Sequence, residues 1–280
     1  MSYALRFSRG RSKVQLMTRR LQPRSTASLL LFTGFVAVPG RLAAGPPPQA
    51  SACFDTYIGQ VESRLAQQHR SAQTFLAQSA ADDARLRRGD LIVEQVQAAG
   101  PPGAMLHHWR GAAFAPGATA ADFERLLRDI DAYPRHFAPQ VERAKVLGQR
   151  DGRIQATLRV LQRHAITVVL DTTYDIAFGR LDAHHGWVAS RSTRIAEIDS
   201  PGARSERALS ATEEHGFLWR LNTYWSCEER DGGLYMQIES VSLTRSIPPG
   251  LAWAVRPFVE SVPRDSLEFT LRSARNALRK

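Results

Sequence analysis

The sequence predicts an α+β fold in which one curved antiparallel sheet of about seven strands wraps around a long C-terminal helix, with an extra helix near the N-terminus. Two long strand-like runs, at about 214–229 and 233–246, flank an Asp-Gly-Gly turn at 231–233. A Pro-Pro-Gly break at 248–250 then leads into a helix whose apolar side chains recur at helical spacing through residue 278. Such an arrangement can enclose a cavity, and cavities are typical of ligand-binding proteins.

The elements that precede this hairpin follow from hydrophobic alternation and from turn residues. A strand is expected at about 104–115, and Thr119 can cap a helix at about 120–132. Pro257 and Pro263 are expected to break or kink the C-terminal helix. An Asp-Gly turn joins the first two of the four remaining strands, which are expected at about 141–149, 153–162, 165–179 and 185–198.

The chain divides into four predicted parts. A signal peptide at 1–44 is followed by a Pro/Ala linker at 45–52. Residues 53–103 form an N-terminal extension, with a helix at its start and a strand near its end. Residues 104–280 form the sheet-and-helix domain, whose length suits a single domain with its own core.

The signal peptide is predicted from a basic start, an apolar run and small residues after it. The run Leu29–Val38 is too short to cross a bilayer, which takes about 20 residues. Small residues at 43–45 offer a cleavage point, so we expect a periplasmic or secreted protein. An uncleaved anchor is the alternative. The basic residues before position 45 are Arg6, Arg9, Arg11, Lys13, Arg19, Arg20, Arg24 and Arg41.

Removal of this leader changes what the net charge implies. The whole chain carries +10, but without those eight residues 29 Lys and Arg face 27 Asp and Glu. A nearly neutral mature chain argues against a nucleic-acid partner. The sequence also contains no zinc-ligand spacing, phosphate loop or Gly-x-Ser-x-Gly elbow. We therefore expect no metal and no cofactor.

Two cysteines, Cys53 and Cys227, remain after the leader. In an oxidising compartment they could form a disulfide, and two free thiols are the alternative. Adjacent residues on a strand point to opposite faces, so neither His107-His108 nor His184-His185 can chelate a metal as a pair.

Alternation along the strands predicts one apolar wall that faces the terminal helix. We expect this wall and the helix to line a ligand pocket, although the same residues could form an ordinary packed core. The wall comprises Tyr174, Phe178, Phe217, Trp219, Leu221, Trp225, Met236 and Ile238, and the helix contributes Leu251, Val255 and Phe258. Charged residues on neighbouring strands could form a cross-strand ladder of ion pairs, or could supply acid-base groups if their face lined the pocket. They are Asp171, Asp175, Arg191, Arg194, Arg220 and Glu239.

Several segments carry a family resemblance. They read HHWRG at 107–111, LWRLNTYW at 218–225, DGGLYMQIESVSLTR at 231–245, and IPPGLAW followed by PFVESVPR at 247–264. In these segments and in the order of its elements, the chain resembles the START-like helix-grip superfamily, which includes polyketide cyclases and coenzyme Q-binding proteins. The resemblance covers about residues 104–278, and the helix and strand at 54–97 lie outside the usual core.

The resemblance implies an apolar pocket between the sheet and the C-terminal helix, of the kind that holds lipids, sterols, quinones or polyketides. It favours a protein that binds or carries a hydrophobic small molecule or lipid outside the cytoplasm, with no catalytic residue assigned. A cyclase- or hydrolase-like enzyme on the same scaffold is the first alternative, and a structural or partner-binding module is the second. A transient contact with a membrane is compatible with carriage.

Overall fold

The computed structural model describes residues 45–163, 167–247 and 252–279, with side chains described outside 252–260. The predicted signal peptide lies outside these residues, as does Leu251. No helix within the described ranges is long and apolar enough to cross a membrane.

The predicted α+β architecture is confirmed. The helices are α1 (Pro48–Gln68), α2 (Ala80–Arg87), α3 (Ala120–Arg128), α4 (Tyr133–His136) and α5 (Ala252–Leu278), with 3₁₀ turns at Ala72–Thr74 and Ile130–Ala132. The strands are β1 (Ile92–Val96), β2 (Ala104–Pro116), β3 (Val141–Arg150), β4 (Arg153–Arg163), β5 (Thr167–Arg180), β6 (His185–Asp199), β7 (Arg207–Ala208), β8 (Arg220–Arg230) and β9 (Gly233–Arg245).

All strand pairings are antiparallel, and the sheet has the order β1-β2-β9-β8-β6-β5-β4-β3, with β7 beside β6. Seven long strands from β2 onward match the number that the sequence predicts, and β1 extends the sheet at one edge. α5 packs against β2. This arrangement of a sheet around a C-terminal helix is the expected helix grip.

The two Asp-Gly turns have the backbone that tight hairpins require. Asp151 and Gly152 have φ of 50° and 73°, and Asp231 and Gly232 have φ of 55° and 73°. Positive φ at both central residues is the mark of the type I′ turn, whose twist matches that of the paired strands. These turns set the registers of β3 with β4 and of β8 with β9.

β8 begins at Arg220, about six residues later than the sequence predicts. The backbone N–H groups of His215, Gly216 and Phe217 donate to the carboxylate of Glu197, at 2.9, 2.8 and 3.0 Å. Gly216 also has a φ of 80°, which no extended strand allows. The segment therefore turns around Glu197 and joins the sheet only afterwards.

Both ends of the described part of the chain, which begins at residue 45, are more helical than expected. α1 starts at Pro48, so part of the predicted linker is helix. α5 runs through Pro257 and Pro263, so the helix is not broken there, and a kink at these prolines stays a prediction. A proline removes one backbone hydrogen bond. The burial of Leu267 and Leu271 against the sheet helps to hold the C-terminal half of α5 in place.

The sheet is covered on both faces. On one face, which we call the α5 face, a large apolar cluster packs under α3 and α5. On the opposite face, the α1 face, α1 buries Phe54, Ile58, Val61 and Leu65 against β2, β8 and β9. α5 packs closely against β2 at Gly111. A Cβ atom at this position would lie only 2.5 Å from Leu271 Cδ1.

Candidate ligand-binding site

Six of the predicted pocket residues lie on the α5 face. Tyr174, Trp225, Met236 and Ile238 are buried in its apolar cluster, and Phe178 and Leu221 are partly buried against it. The side chains of Val255 and Phe258, like Leu251, lie outside the described residues. Whether these residues contact a ligand stays a prediction.

The predicted positions of Phe217 and Trp219 on that wall are wrong. Phe217 is 42% exposed and stacks on His215, with ring centroids 5.2 Å apart. Trp219 is buried in the cluster on the α1 face, together with Leu243. The alternating pattern of the sequence continues across residues 215–217, but these residues are not part of β8. Glu197 holds them away from the sheet, so the pattern does not give the face on which their side chains lie.

A row of four polar side chains crosses the α5 face, which the sequence analysis treated as apolar. Register pairs Trp109 on β2 with Ser240 on β9, Ser240 with Thr223 on β8, and Thr223 with Ser190 on β6. Directly paired residues point to the same face. We call these four residues the polar row, and it ends against Ile176 on β5.

The polar row is partly exposed although it lies in the middle of the sheet. Most of the residues on either side of it along the strands are buried, and Leu221 beside Thr223 is partly buried. Ile238, Trp225 and Val188 flank it toward α3, and Ser242 and Ser192 flank it on the other side. The polar row is thus an accessible strip on this face, and we call the strip with its neighbouring side chains the groove.

The hydrogen-bonding groups of the polar row have no protein partners in the described part of the chain. Trp109 Nε1 is buried without an acceptor, and it adjoins the apolar cluster. The hydroxyls of Ser190, Thr223 and Ser240 form no hydrogen bond with any described residue. Polar groups that are removed from water are usually hydrogen-bonded, so the polar row has capacity for a ligand's polar atoms.

A second opening lies at the end of the α5 face, between α3 and the β5–β6 turn. Its walls include Phe123, Phe178, Val188 and Cys227, and its enclosed volume is about 40 Å³. Arg128 lies over the Phe178 ring at 4.0 Å and covers part of this wall. The enclosed space is far below the roughly 300–1,000 Å³ of small-molecule pockets. The crevice alone therefore does not hold a lipid.

Cys53 and Cys227 are both free thiols, which decides between the two alternatives for the cysteines. Burial raises the pKa of the Cys227 thiol to about 12. The thiolate is the nucleophilic form of cysteine. Cys227 is therefore a neutral thiol at physiological pH and a poor nucleophile, in spite of its place beside the crevice.

This protonation state makes Cys227 resistant to alkylation. We expect iodoacetamide at pH 8 to leave Cys227 unmodified in the native protein and to modify it fully in 6 M guanidinium chloride. Peptide mass spectrometry measures both states. Rapid native modification of Cys227 would show that its thiol is neither buried nor neutral.

The histidines serve the packing of the sheet. His107 Nε2 lies 3.3 Å from Thr244 Oγ1, and His108 Nε2 donates to Glu239 Oε2 at 2.9 Å. The second ring nitrogen of His108 lies 2.8 Å from the Tyr57 hydroxyl. No group of three or more potential ligand residues that could hold a metal occurs among the described residues.

The charged residues of the predicted ladder pair chiefly with α1 and other neighbours. Arg191 donates to Glu62 at 2.6 Å, and Glu239 accepts from Arg64 of the same helix. Arg220 pairs with Asp55 of α1, and Asp171 pairs with Arg159 of β4. The ion pairs of Arg191, Glu239 and Arg220 fix α1 on the sheet, and that of Asp171 joins β5 to β4. They lie on the α1 face and supply no acid-base group to the α5 face.

Comparison with known proteins gives distant structural similarity. No family model and no curated protein sequence matches the chain. The STAR-related lipid transfer protein from Xanthomonas axonopodis (fragment 25–204) has 19% identity and a TM-score of 0.45, over 67% of this chain and 99% of that one. The chain is similar in fold to START-type proteins.

Two further solved structures have the same kind of similarity. The Zhui aromatase/cyclase from Streptomyces sp. R1128 has 15% identity and a TM-score of 0.44, over 61% of this chain and 93% of that one. A START superfamily protein from Mycobacterium smegmatis has 13% identity and a TM-score of 0.39, over 62% of this chain and 96% of that one. Similarities this distant assign no ligand to the chain.

Proposed function

We propose that this protein binds a hydrophobic small molecule or lipid in the groove on the α5 face. The observation that carries the proposal is the partly exposed polar row in the middle of a largely buried sheet face. Small-molecule sites are concave and mostly apolar, with a few polar groups that fix the orientation of the ligand. The groove combines apolar neighbours with hydrogen-bonding groups that no described residue uses.

The side chains of the groove favour binding over chemistry. Three hydroxyls and one indole N–H supply no general base, and general acid-base catalysis needs a titratable group within hydrogen-bond reach. His107, two residues from Trp109 on the same face of β2, lies outside the row, with its Nε2 3.3 Å from Thr244 Oγ1. Carriage of an unchanged ligand therefore fits these residues better than a cyclase- or hydrolase-like reaction.

Filling the groove tests the proposal. We expect Ser240→Trp to weaken the binding of the neutral apolar dye N-phenyl-1-naphthylamine at least tenfold, because the indole occupies the groove. Fluorescence titration gives the Kd, and Thr173→Trp on the opposite face of the sheet is the control. Equal binding by the Ser240→Trp protein, or no binding by the native protein, would refute the site.

We also propose that the protein works outside the cytoplasm after removal of its leader. The basic start, short apolar run and small-residue exit at residues 1–45 support this. N-terminal sequencing of the protein recovered from the periplasm or medium should give a first residue near position 45. Recovery of a chain that starts at Met1 or Met17 would contradict cleavage.

A further inference from the structure

The C-terminal end of α5 carries three arginines whose charge the neighbouring residues only partly neutralise, and we infer that they bind a phosphate group. They are Arg272, Arg275 and Arg279, and their spacing of three and four residues places them on one side of the helix end. Arg275 Nη1 donates to the carbonyl oxygen of Gly89, in the turn between α2 and β1, at 2.8 Å. The site shares no residue with the polar row, so the inference goes beyond the proposed function.

Arg275 is buried without an acidic partner. Only 8% of the residue is exposed, and its Nε has no hydrogen-bond acceptor in the ranges that the structure describes. Its one hydrogen bond to a described residue goes to the Gly89 carbonyl, which has no net charge. Arginine stays protonated in proteins, and a buried charge is costly unless a counter-ion accompanies it. An anion from outside these residues would offset this cost.

The charges closest to Arg275 increase the cost. Burial and the positive charges of Arg279 and Arg272 lower the pKa of the Arg275 guanidinium. Arg272 forms an ion pair with Glu268, one turn earlier in α5. Arg279 is exposed and forms no ion pair with another described residue. Three positive charges less the one negative charge of Glu268 leave the site with a net charge of +2.

Two other features of this end of α5 do not balance that charge. Asp90 follows Gly89 in the turn, but its carboxylate pairs with Arg85 of α2 at 3.5 Å. The C-terminal end of a helix also carries a partial negative charge of about half an elementary charge, which attracts basic residues in the last turn. This partial charge is far smaller than the positive charge of the arginines, so most of that charge stays unbalanced.

A phosphate group matches the site in charge and in hydrogen-bonding capacity. It carries about −1.5 to −2 at pH 7 and has three oxygen atoms that accept hydrogen bonds. Guanidinium groups bind such oxygens through pairs of parallel N–H donors. Arg275 Nη2 and the Arg279 guanidinium have no acceptor among the described residues, so both can donate to a ligand. A soluble phosphate compound and a lipid headgroup both offer this chemistry.

Inorganic phosphate is the probe for the site. We expect isothermal titration calorimetry of the native protein at constant ionic strength to give saturable binding with a Kd of about 1 mM or lower. Arg275→Gln and Arg279→Gln should each weaken this binding about tenfold or more, because each variant loses a charged hydrogen-bond donor. Arg194→Gln removes an exposed arginine from β6 and is the matched control, which should bind phosphate like the native protein.

The exposed position of Arg279 keeps the test decisive even if the loss of the buried Arg275 impairs folding. Absence of saturable phosphate binding by the native protein, or equal binding by the Arg279→Gln and Arg194→Gln proteins, would refute the site. Binding of the naphthylamine dye should be the same in the Arg279→Gln, Arg194→Gln and native proteins. Failure of the phosphate site therefore leaves the proposed function standing, and failure of dye binding leaves the phosphate site standing.

Sedimentation with vesicles separates the two sources of the phosphate group. Vesicles of phosphatidic acid and phosphatidylcholine are compared with vesicles of phosphatidylcholine alone. Retention on the first kind only, lost in Arg279→Gln and competed by inorganic phosphate, supports the site with a lipid headgroup as its ligand. Saturable binding of inorganic phosphate without retention on vesicles supports the site with a soluble phosphate compound as its ligand.

Discussion

Replacement of Glu239 with alanine should lower the free energy of unfolding by about 3–5 kcal/mol, the size of effect seen when one member of a buried charge network is removed. Glu239 is fully buried on the α1 face. Its carboxylate accepts from Arg64, His108 and Arg110, so its loss leaves Arg64 and His108 without this anion and Arg110 with Glu94 alone. Urea unfolding at pH 7 measures the loss.

The pH dependence of the same residue gives a second readout. Burial acts to raise the pKa of Glu239, but the hydrogen bonds from His108 and Arg64 and the charge of Arg110 outweigh it and lower the pKa to about 2. A lowered pKa stabilises the fold fully above the ordinary value of 4.5, and this stabilisation is lost as the pH falls toward 2. The contribution is about 3 kcal/mol.

The control for this prediction is Glu142→Ala, which removes an exposed carboxylate from β3. We expect the stability gap between the native and Glu239→Ala proteins to narrow as the pH falls from 5 toward 2. A Glu239→Ala protein within about 0.5 kcal/mol of the Glu142→Ala protein at pH 7, the usual range for surface changes, would show that the network is not stabilising.

Removal of α1 should prevent folding altogether. Deletion of residues 45–70 together with the leader exposes the partners of Phe54, Ile58, Val61 and Leu65, all of which are buried. At about 1.5–3 kcal/mol for each side chain, the loss is about 6–12 kcal/mol. That is as large as the whole stability of a typical domain. The deletion also leaves Glu239 without Arg64.

Circular dichroism in the near ultraviolet and the dispersion of amide proton signals distinguish the outcomes. Residues 45–280 should give a folded protein with a cooperative thermal transition. Residues 71–280 should give neither fixed tertiary signals nor a cooperative transition. If residues 71–280 fold cooperatively, α1 is an accessory element and its contacts with the sheet are dispensable.

The sequence predicts most of the fold because its local signals agree with one another. The Asp-Gly turns at 151–152 and 231–232 require the backbone that the structure has. Thr119 caps α3 as expected, with its hydroxyl accepting from the backbone N–H of Asp122. The start of β8 was missed because it depends on Glu197, which is close in space and distant in sequence.

The sequence predicts the apolar residues of the candidate site and misses most of its polar ones. Met236 and Ile238 were placed on the correct face, and continued alternation puts Ser240 in line with them. The prediction selected residues by size and apolarity and therefore passed over the hydroxyls. The sequence also does not predict that α1 packs on the sheet. The apolar stripe of α1 predicts that one face of the helix is buried, but not which surface covers it.

A titration followed by methyl NMR tests the binding site most directly. With N-phenyl-1-naphthylamine added to the 45–280 protein, we expect saturable shifts for the methyl groups of Leu221, Ile238 and Val188 on the α5 face. The methyl groups of Val241 and Leu243 on the α1 face should not move. Saturable shifts confined to the α1 face, or none at any ligand concentration, would contradict a ligand groove between the sheet and α5.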